Sequence, residues 1–90
     1  MKYYVNDVEY IYLPDFAKII GFTDRGVRYL VEHGNSIRPL KSYREGSKLY
    51  IKASELTEYP FMSAGKKHII FHYKQQEDGS YKRIIGNELL

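Results

Sequence analysis

The residues of this chain best able to do chemistry are cations and tyrosines set at short spacings. Arg25, Arg28 and Tyr29 stand three and four positions apart, a separation that places side chains on neighbouring parts of a helix surface. Over residues 38–52, Arg38, Lys41, Arg44, Lys48 and Lys52 face a single carboxylate, Glu45, and Tyr43 and Tyr50 lie among them. Over residues 1–33 the balance is reversed, with Lys2, Lys18, Arg25 and Arg28 against Asp7, Glu9, Asp15, Asp24 and Glu32. The formal charge of +3 is a weak signal by itself, but its concentration after residue 37 focuses a positive field on one stretch. Ammonium and guanidinium groups bind phosphate oxygens, and arginine can also take a guanine edge with two parallel hydrogen bonds.

Catalytic patterns are missing from the sequence. The histidines are His33, His68 and His72, and the last two sit four apart in a strand-like run, where the spacing of a helical metal pair does not apply. There is no cysteine, which excludes disulfides and thiolate zinc sites. No glycine-rich phosphate loop follows a strand, no nucleophile sits in an elbow, and the carboxylates form no recognisable pair. The chain is therefore expected to be a non-enzyme without catalytic residues, metal or cofactor. Ninety residues suit one modest core, treated as a single domain over 1–90. No apolar run approaches the roughly 18 residues of a membrane span, and residues 1–7 lack a signal-peptide core, so a cytoplasmic location without membrane contact is expected.

The elements that must position these side chains follow from local signals. Tyr3 to Val5 and Val8 to Tyr12 are aromatic and β-branched, with Asn6-Asp7 suited to a tight turn, so residues 1–13 are expected to form an N-terminal hairpin. Pro14 and Asp15 then open a helix to about Ile20, and Gly21 can end it in the left-handed conformation. Thr23 is a capping residue for a second helix, with Asp24 at the positive end of the dipole. On that helix Val27, Leu30 and Val31 share the buried side, Asp24, Arg25, Arg28 and Glu32 the other, and Gly34 is the stop. Ile37 to Tyr43 and Ser47 to Ile51 are expected to pair about a Glu45-Gly46 turn, with Ser42 opposite Leu49. That register sorts Leu40, Ser42, Leu49 and Ile51 to one face and Lys41, Tyr43, Lys48 and Tyr50 to the other.

Ala53 to Glu58 suggests a short third helix ended by Pro60, and residues 61–67 a connector. His68 to Lys74 and Tyr81 to Ile85 make a second terminal hairpin about Asp78-Gly79, within a 61–90 extension. Its expected register sets Phe71, Tyr73 and Ile84 on one face and Ile70, His72, Tyr81 and Ile85 on the other. Apolar groups on both faces imply a further contact, so self-association as a homodimer, or cooperatively on a ligand, through the terminal hairpins is expected.

From Tyr12-Leu13-Pro14-Asp15-Phe16-Ala17 through Gly21-Phe22-Thr23 to Val27-Arg28-Tyr29-Leu30 and Glu32-His33-Gly34, the chain resembles the winged helix-turn-helix of the MerR and phage excisionase group. The resemblance covers roughly residues 10 to 60. It implies an α+β fold with a two-helix helix-turn-helix, a β-hairpin wing and a short third helix over residues 14–60, flanked by the two terminal hairpins. It also implies that Arg28-Tyr29 and Tyr43-Arg44 lie at DNA. Gly26 departs from a good helix, and no long helix is expected after the wing, so the coiled-coil dimer and effector domain of a full MerR regulator are not expected.

The expected function is double-stranded DNA binding, as a small transcriptional regulator or excisionase-like architectural factor of a phage, mobile element or bacterium, associated with the nucleoid. The second helix would contribute Thr23, Asp24, Arg25, Arg28 and Tyr29, and the wing Arg38, Lys41, Tyr43, Arg44 and Lys48. The alternative is a protein-interaction module whose tyrosine-rich surfaces bind a phage or host protein, since ten tyrosines in ninety residues supply many interface anchors.

Overall fold

Strand formation dominates this chain because its aromatic and β-branched residues alternate over short runs separated by left-handed turns. The computed structural model describes residues 2–35, 38–62 and 69–85. Its elements are β1 (Lys2–Val5), β2 (Val8–Tyr12), α1 (Leu13–Ile20), α2 (Asp24–Glu32), β3 (Ser42–Glu45), β4 (Lys48–Lys52), α3 (Glu55–Glu58), β5 (Phe61–Met62), β6 (Ile70–Gln75) and β7 (Tyr81–Ile85). The chain divides into two compact units, Met1–Glu55 and Leu56–Leu90.

In the first unit the strands form one antiparallel sheet of order β1-β2-β4-β3. Asn6 and Asp7 take φ of 50° and 66°, which makes the tight β1–β2 turn that their short polar side chains tolerate. Gly46, at φ 61°, opens the Gly46-Ser47 turn between β3 and β4. Strand β4 is internal. It pairs with β3 on one side and with β2 on the other, setting Ile11 opposite Ile51 and Tyr12 opposite Tyr50. The buried side chains Ile11, Leu49 and Ile51 share one face, and α1 packs against β2 and β4. Phe16, Ala17 and Ile20 of α1 and Val27 of α2 complete this core.

Two glycines fix the helix ends. Gly21 caps α1 at φ 73°, its N–H reaching back to the last turn. Gly34 sits at φ 75°, and a Cβ there would lie 2.5 Å from the Arg38 carbonyl, so the returning chain needs glycine at this position. The return is held by Leu40 N–H donating to the Leu30 carbonyl at 3.0 Å.

This architecture overturns the expected α+β winged helix-turn-helix. Among the described residues strand accounts for 40% and helix for 28%, in two antiparallel sheets with three short helices. The hairpin expected to project as a wing has its second strand inside a four-stranded sheet, and the N-terminal hairpin is part of that same sheet. Helix α1 covers one face of that sheet, and α2 packs on α1. The β3–β4 register also differs, since Leu49 faces Arg44 instead of Ser42. The turn sits one residue later than expected, so the pairing moves by two positions, and the assignment of residues to faces survives because side chains alternate with period two.

In the second unit the order is β5-β6-β7. Phe61 and Met62, read as connector, pair with Phe71 and Ile70. Tyr59, Phe61, Phe71 and Tyr73 are buried and meet in mainly edge-on contacts, with centroids 4.9 to 5.8 Å apart. The Gln76–Ser80 loop has an odd length, which inverts the expected facing of β7. Ile85 pairs with Phe71 and Ile84 with His72, and the Arg83 guanidinium lies 4.4 Å from the Phe71 ring centre.

One charged group lies at the base of the first unit. Glu55 is fully buried, and Arg38 forks onto it with bonds of 2.6 and 2.8 Å while the Lys41 N–H donates at 2.8 Å. Burial pushes its pKa up, but the Arg38 hydrogen bonds, the Lys41 N–H and the two nearby cations outweigh that and hold the carboxyl below its usual 4.5. A depressed carboxylate adds stability above its unfolded pKa and loses it as pH falls through the folded value. Glu55→Gln is expected to cost about 2 to 4 kcal/mol near neutral pH, below the largest losses for broken buried pairs because Arg38 is 31% exposed. The gap between wild type and variant in urea melts should narrow below about pH 4.5; an equal gap at pH 3 and pH 7 would contradict this account.

Candidate nucleic-acid interface

The sequence-predicted residues separate into three sets. Thr23, Asp24, Arg25, Arg28 and Tyr29 come together on the outward side of α2, all exposed, while Val27 on the inner side is fully buried. The helix starts where it does because the Thr23 hydroxyl oxygen accepts the Gly26 N–H at 3.0 Å. Gly26 suits this cap, since an added Cβ would meet that hydroxyl oxygen at 3.2 Å. Tyr29 is 60% exposed and leans on His33 one turn later, ring centres 4.8 Å apart. Among the described residues no ion pair engages Arg25 or Arg28, although Asp24 and Glu32 share the helix.

The second set lies between α2 and β3. Arg38 is committed to Glu55 rather than extended toward a ligand. Lys41 keeps an exposed side chain while its backbone joins Glu55 and Lys52, and the Leu40–Leu30 hydrogen bond keeps this segment beside the end of α2.

The third set, Tyr43, Arg44 and Lys48, is divided by the pleat. Arg44 opposes Leu49 and so belongs to the helix-covered side, whereas Tyr43 opposes Tyr50 and Lys48 opposes Glu45 on the other. They do not form one wing-tip cluster.

The side of the sheet opposite α1 holds a group that local reading did not assemble. Tyr3 and Tyr50 stack with centroids 4.6 Å apart, Tyr12 meets Tyr50 at 5.5 Å, and Tyr43 meets Tyr3 at 6.0 Å and Tyr10 at 5.8 Å. Tyr3 belongs to one edge strand and Tyr43 to the other. Their contact across two intervening strands requires the sheet to curl strongly toward this side. Lys48 Nζ lies 5.9 Å from the Tyr12 ring centre, and Lys52 shares the face. Glu45 is the nearby acid, and it accepts from the Tyr43 hydroxyl at 3.3 Å. Burial and then the Glu45 charge push the Tyr3 hydroxyl above its usual pKa. The period-two spacings Tyr10-Tyr12 and Lys48-Tyr50-Lys52 were the available signal; the β2–β4 pairing that unites them is non-local.

Among the described residues there is no cluster of three His, Cys, Asp or Glu side chains able to hold a metal, and no helix long and apolar enough to cross a membrane. Comparison with family models, curated proteins and solved structures returned no match.

The α2 cap is directly testable. Thr23→Ala is expected to cost about 1 kcal/mol, lowering Tm by roughly 4 to 8 °C for a chain of this size, and Thr23→Ser should retain most of the stability. Equal melting of the alanine variant and wild type would contradict the capping role.

Proposed function

We propose that this chain binds double-stranded DNA through the outward face of α2. The observation that carries the reading is the display of Arg25, Arg28 and Tyr29, exposed together on a helix whose opposite side is sealed by Val27 and whose start is pinned by Thr23. A helix fits the major groove, where arginine distinguishes guanine through O6 and N7. Arg44, on the helix-covered side of the sheet, supplies a phosphate contact that sets position without reading sequence. Asp24 and Glu32 repel phosphate, so α2 docks with these carboxylates turned toward base edges, where cytosine presents an amine donor.

Random duplex at low salt tests the reading first, because phosphate contacts alone should give a mobility shift there. Absence of a shift at high micromolar protein would overturn it. On a site selected from a random pool, Arg25→Ala or Arg28→Ala is expected to cost about 1 to 3 kcal/mol and relax base preference. Arg44→Ala should weaken all duplexes alike and lower the salt slope by about 0.9. Uniform loss from Arg28→Ala together with altered base preference from Arg44→Ala would place the reading element elsewhere.

A further inference from the structure

Beyond duplex binding, the geometry points to the tyrosine face of the four-stranded sheet as a second site, one that takes single-stranded nucleic acid by stacking unpaired bases. The face is both aromatic and cationic. Strand β4 alone presents Lys48, Tyr50 and Lys52 on it, so cation, ring and cation follow one another at about 7 Å, twice the strand rise. Tyr50 is only 5% exposed and forms the floor, stacked under Tyr3 and flanked by Tyr12. Tyr3, Tyr10, Tyr12 and Tyr43 are half-buried and keep ring surface for a ligand. Mutual stacking already restricts these rings, so less side-chain entropy is lost when a base settles on them.

Charge selects the occupant. Glu45 is engaged by the Tyr43 hydroxyl and lies beside Tyr3, whereas Lys48 and Lys52 extend a positive field over the rings. A second copy of this face would set lysines against lysines, which disfavours self-pairing here. A polyanion carrying flat bases satisfies both features, the ammonium groups meeting phosphates and the phenol rings meeting bases. Recognition of this kind is tolerant of sequence, because every base has a π face. The site lies on the side of the sheet opposite α1, on which α2 packs, so it is separable from the α2 surface.

The test is a fluorescence anisotropy titration of a labelled oligothymidine at low salt, read alongside the protein's own tyrosine emission, which no tryptophan obscures. Binding with quenched tyrosine emission is expected. Tyr10→Ala and Tyr12→Ala should each weaken it roughly 5- to 100-fold, while Tyr12→Phe retains it. Lys52→Gln should weaken it and lower the salt slope by about 0.7. The double variant Arg25→Ala, Arg28→Ala should keep oligothymidine binding while losing duplex binding, which separates failure of one proposal from failure of the other. If an alanine variant does not fold by circular dichroism, Lys52→Gln decides: weaker binding supports the proposal and unchanged binding overturns it. No anisotropy change at high micromolar protein would overturn the proposal, as would folded Tyr10→Ala and Tyr12→Ala variants that bind normally. So would displacement of oligothymidine by oligoglutamate peptide at equal charge concentration, which would assign the face to an acidic protein partner.

Discussion

The inner position of β4 is the constraint on which the rest of the first unit depends. Its alternating sequence, Lys48-Leu49-Tyr50-Ile51-Lys52, pairs with β3 over residues 48–51 and with β2 over residues 50–52, so every side chain is committed to one face or the other. Leu49 and Ile51 form the floor on which α1 is built, and α2 packs on α1. Lys48, Tyr50 and Lys52 form the opposite surface. A change of register by one residue would exchange these sets, placing lysines under the helices and leucine in water, and the penalty of burying unpaired ammonium groups makes that arrangement inaccessible.

The chain reaches this arrangement through a few local devices that act where a backbone must change direction. Asn6, Asp7 and Gly46 supply the positive φ needed at two hairpin tips, and Gly21 and Gly34 supply it at the helix ends. The segment after Gly34 would otherwise be a loosely tied crossover. The Arg38–Glu55 fork, the Lys41 N–H and the Leu40–Leu30 hydrogen bond tie it to both the end of α2 and the start of α3. A buried carboxylate is costly alone, so these partners act as one assembly: removal of any member leaves the others imperfectly satisfied.

Much of this was legible locally. The Thr23 cap, the Gly21 stop, the Asn6-Asp7 turn and the inward position of Val27 follow from residue type and spacing, and all occur. The faces of β3 and β4 were also legible, because an error of two residues leaves alternation intact. An odd-length loop at Gln76–Ser80 had the opposite consequence and turned β7 over. What the local signals lacked was sequence-distant pairing. Nothing near Tyr12 announces Tyr50, and nothing near Arg38 announces Glu55, yet those contacts decide that the hairpin is part of a sheet and that one expected DNA contact is engaged internally. For the same reason Arg25, Arg28 and Tyr29 were assembled correctly as neighbours, being on one helix, while Tyr43, Arg44 and Lys48 were grouped by proximity in sequence although the pleat separates them.

The two surfaces thus differ in kind. One is an arginine-bearing helix suited to a groove, the other a curled tyrosine floor edged by lysines, and the sheet keeps them apart. The measurement that tests this division most directly is an amide-resolved NMR titration with a random-sequence duplex at low salt. The account predicts that amides of residues 23–33 and of Arg44 shift together, while those of Tyr10, Tyr12 and Tyr50 stay in place. Largest shifts at Tyr10, Tyr12 and Tyr50, with residues 23–33 unmoved, would contradict it.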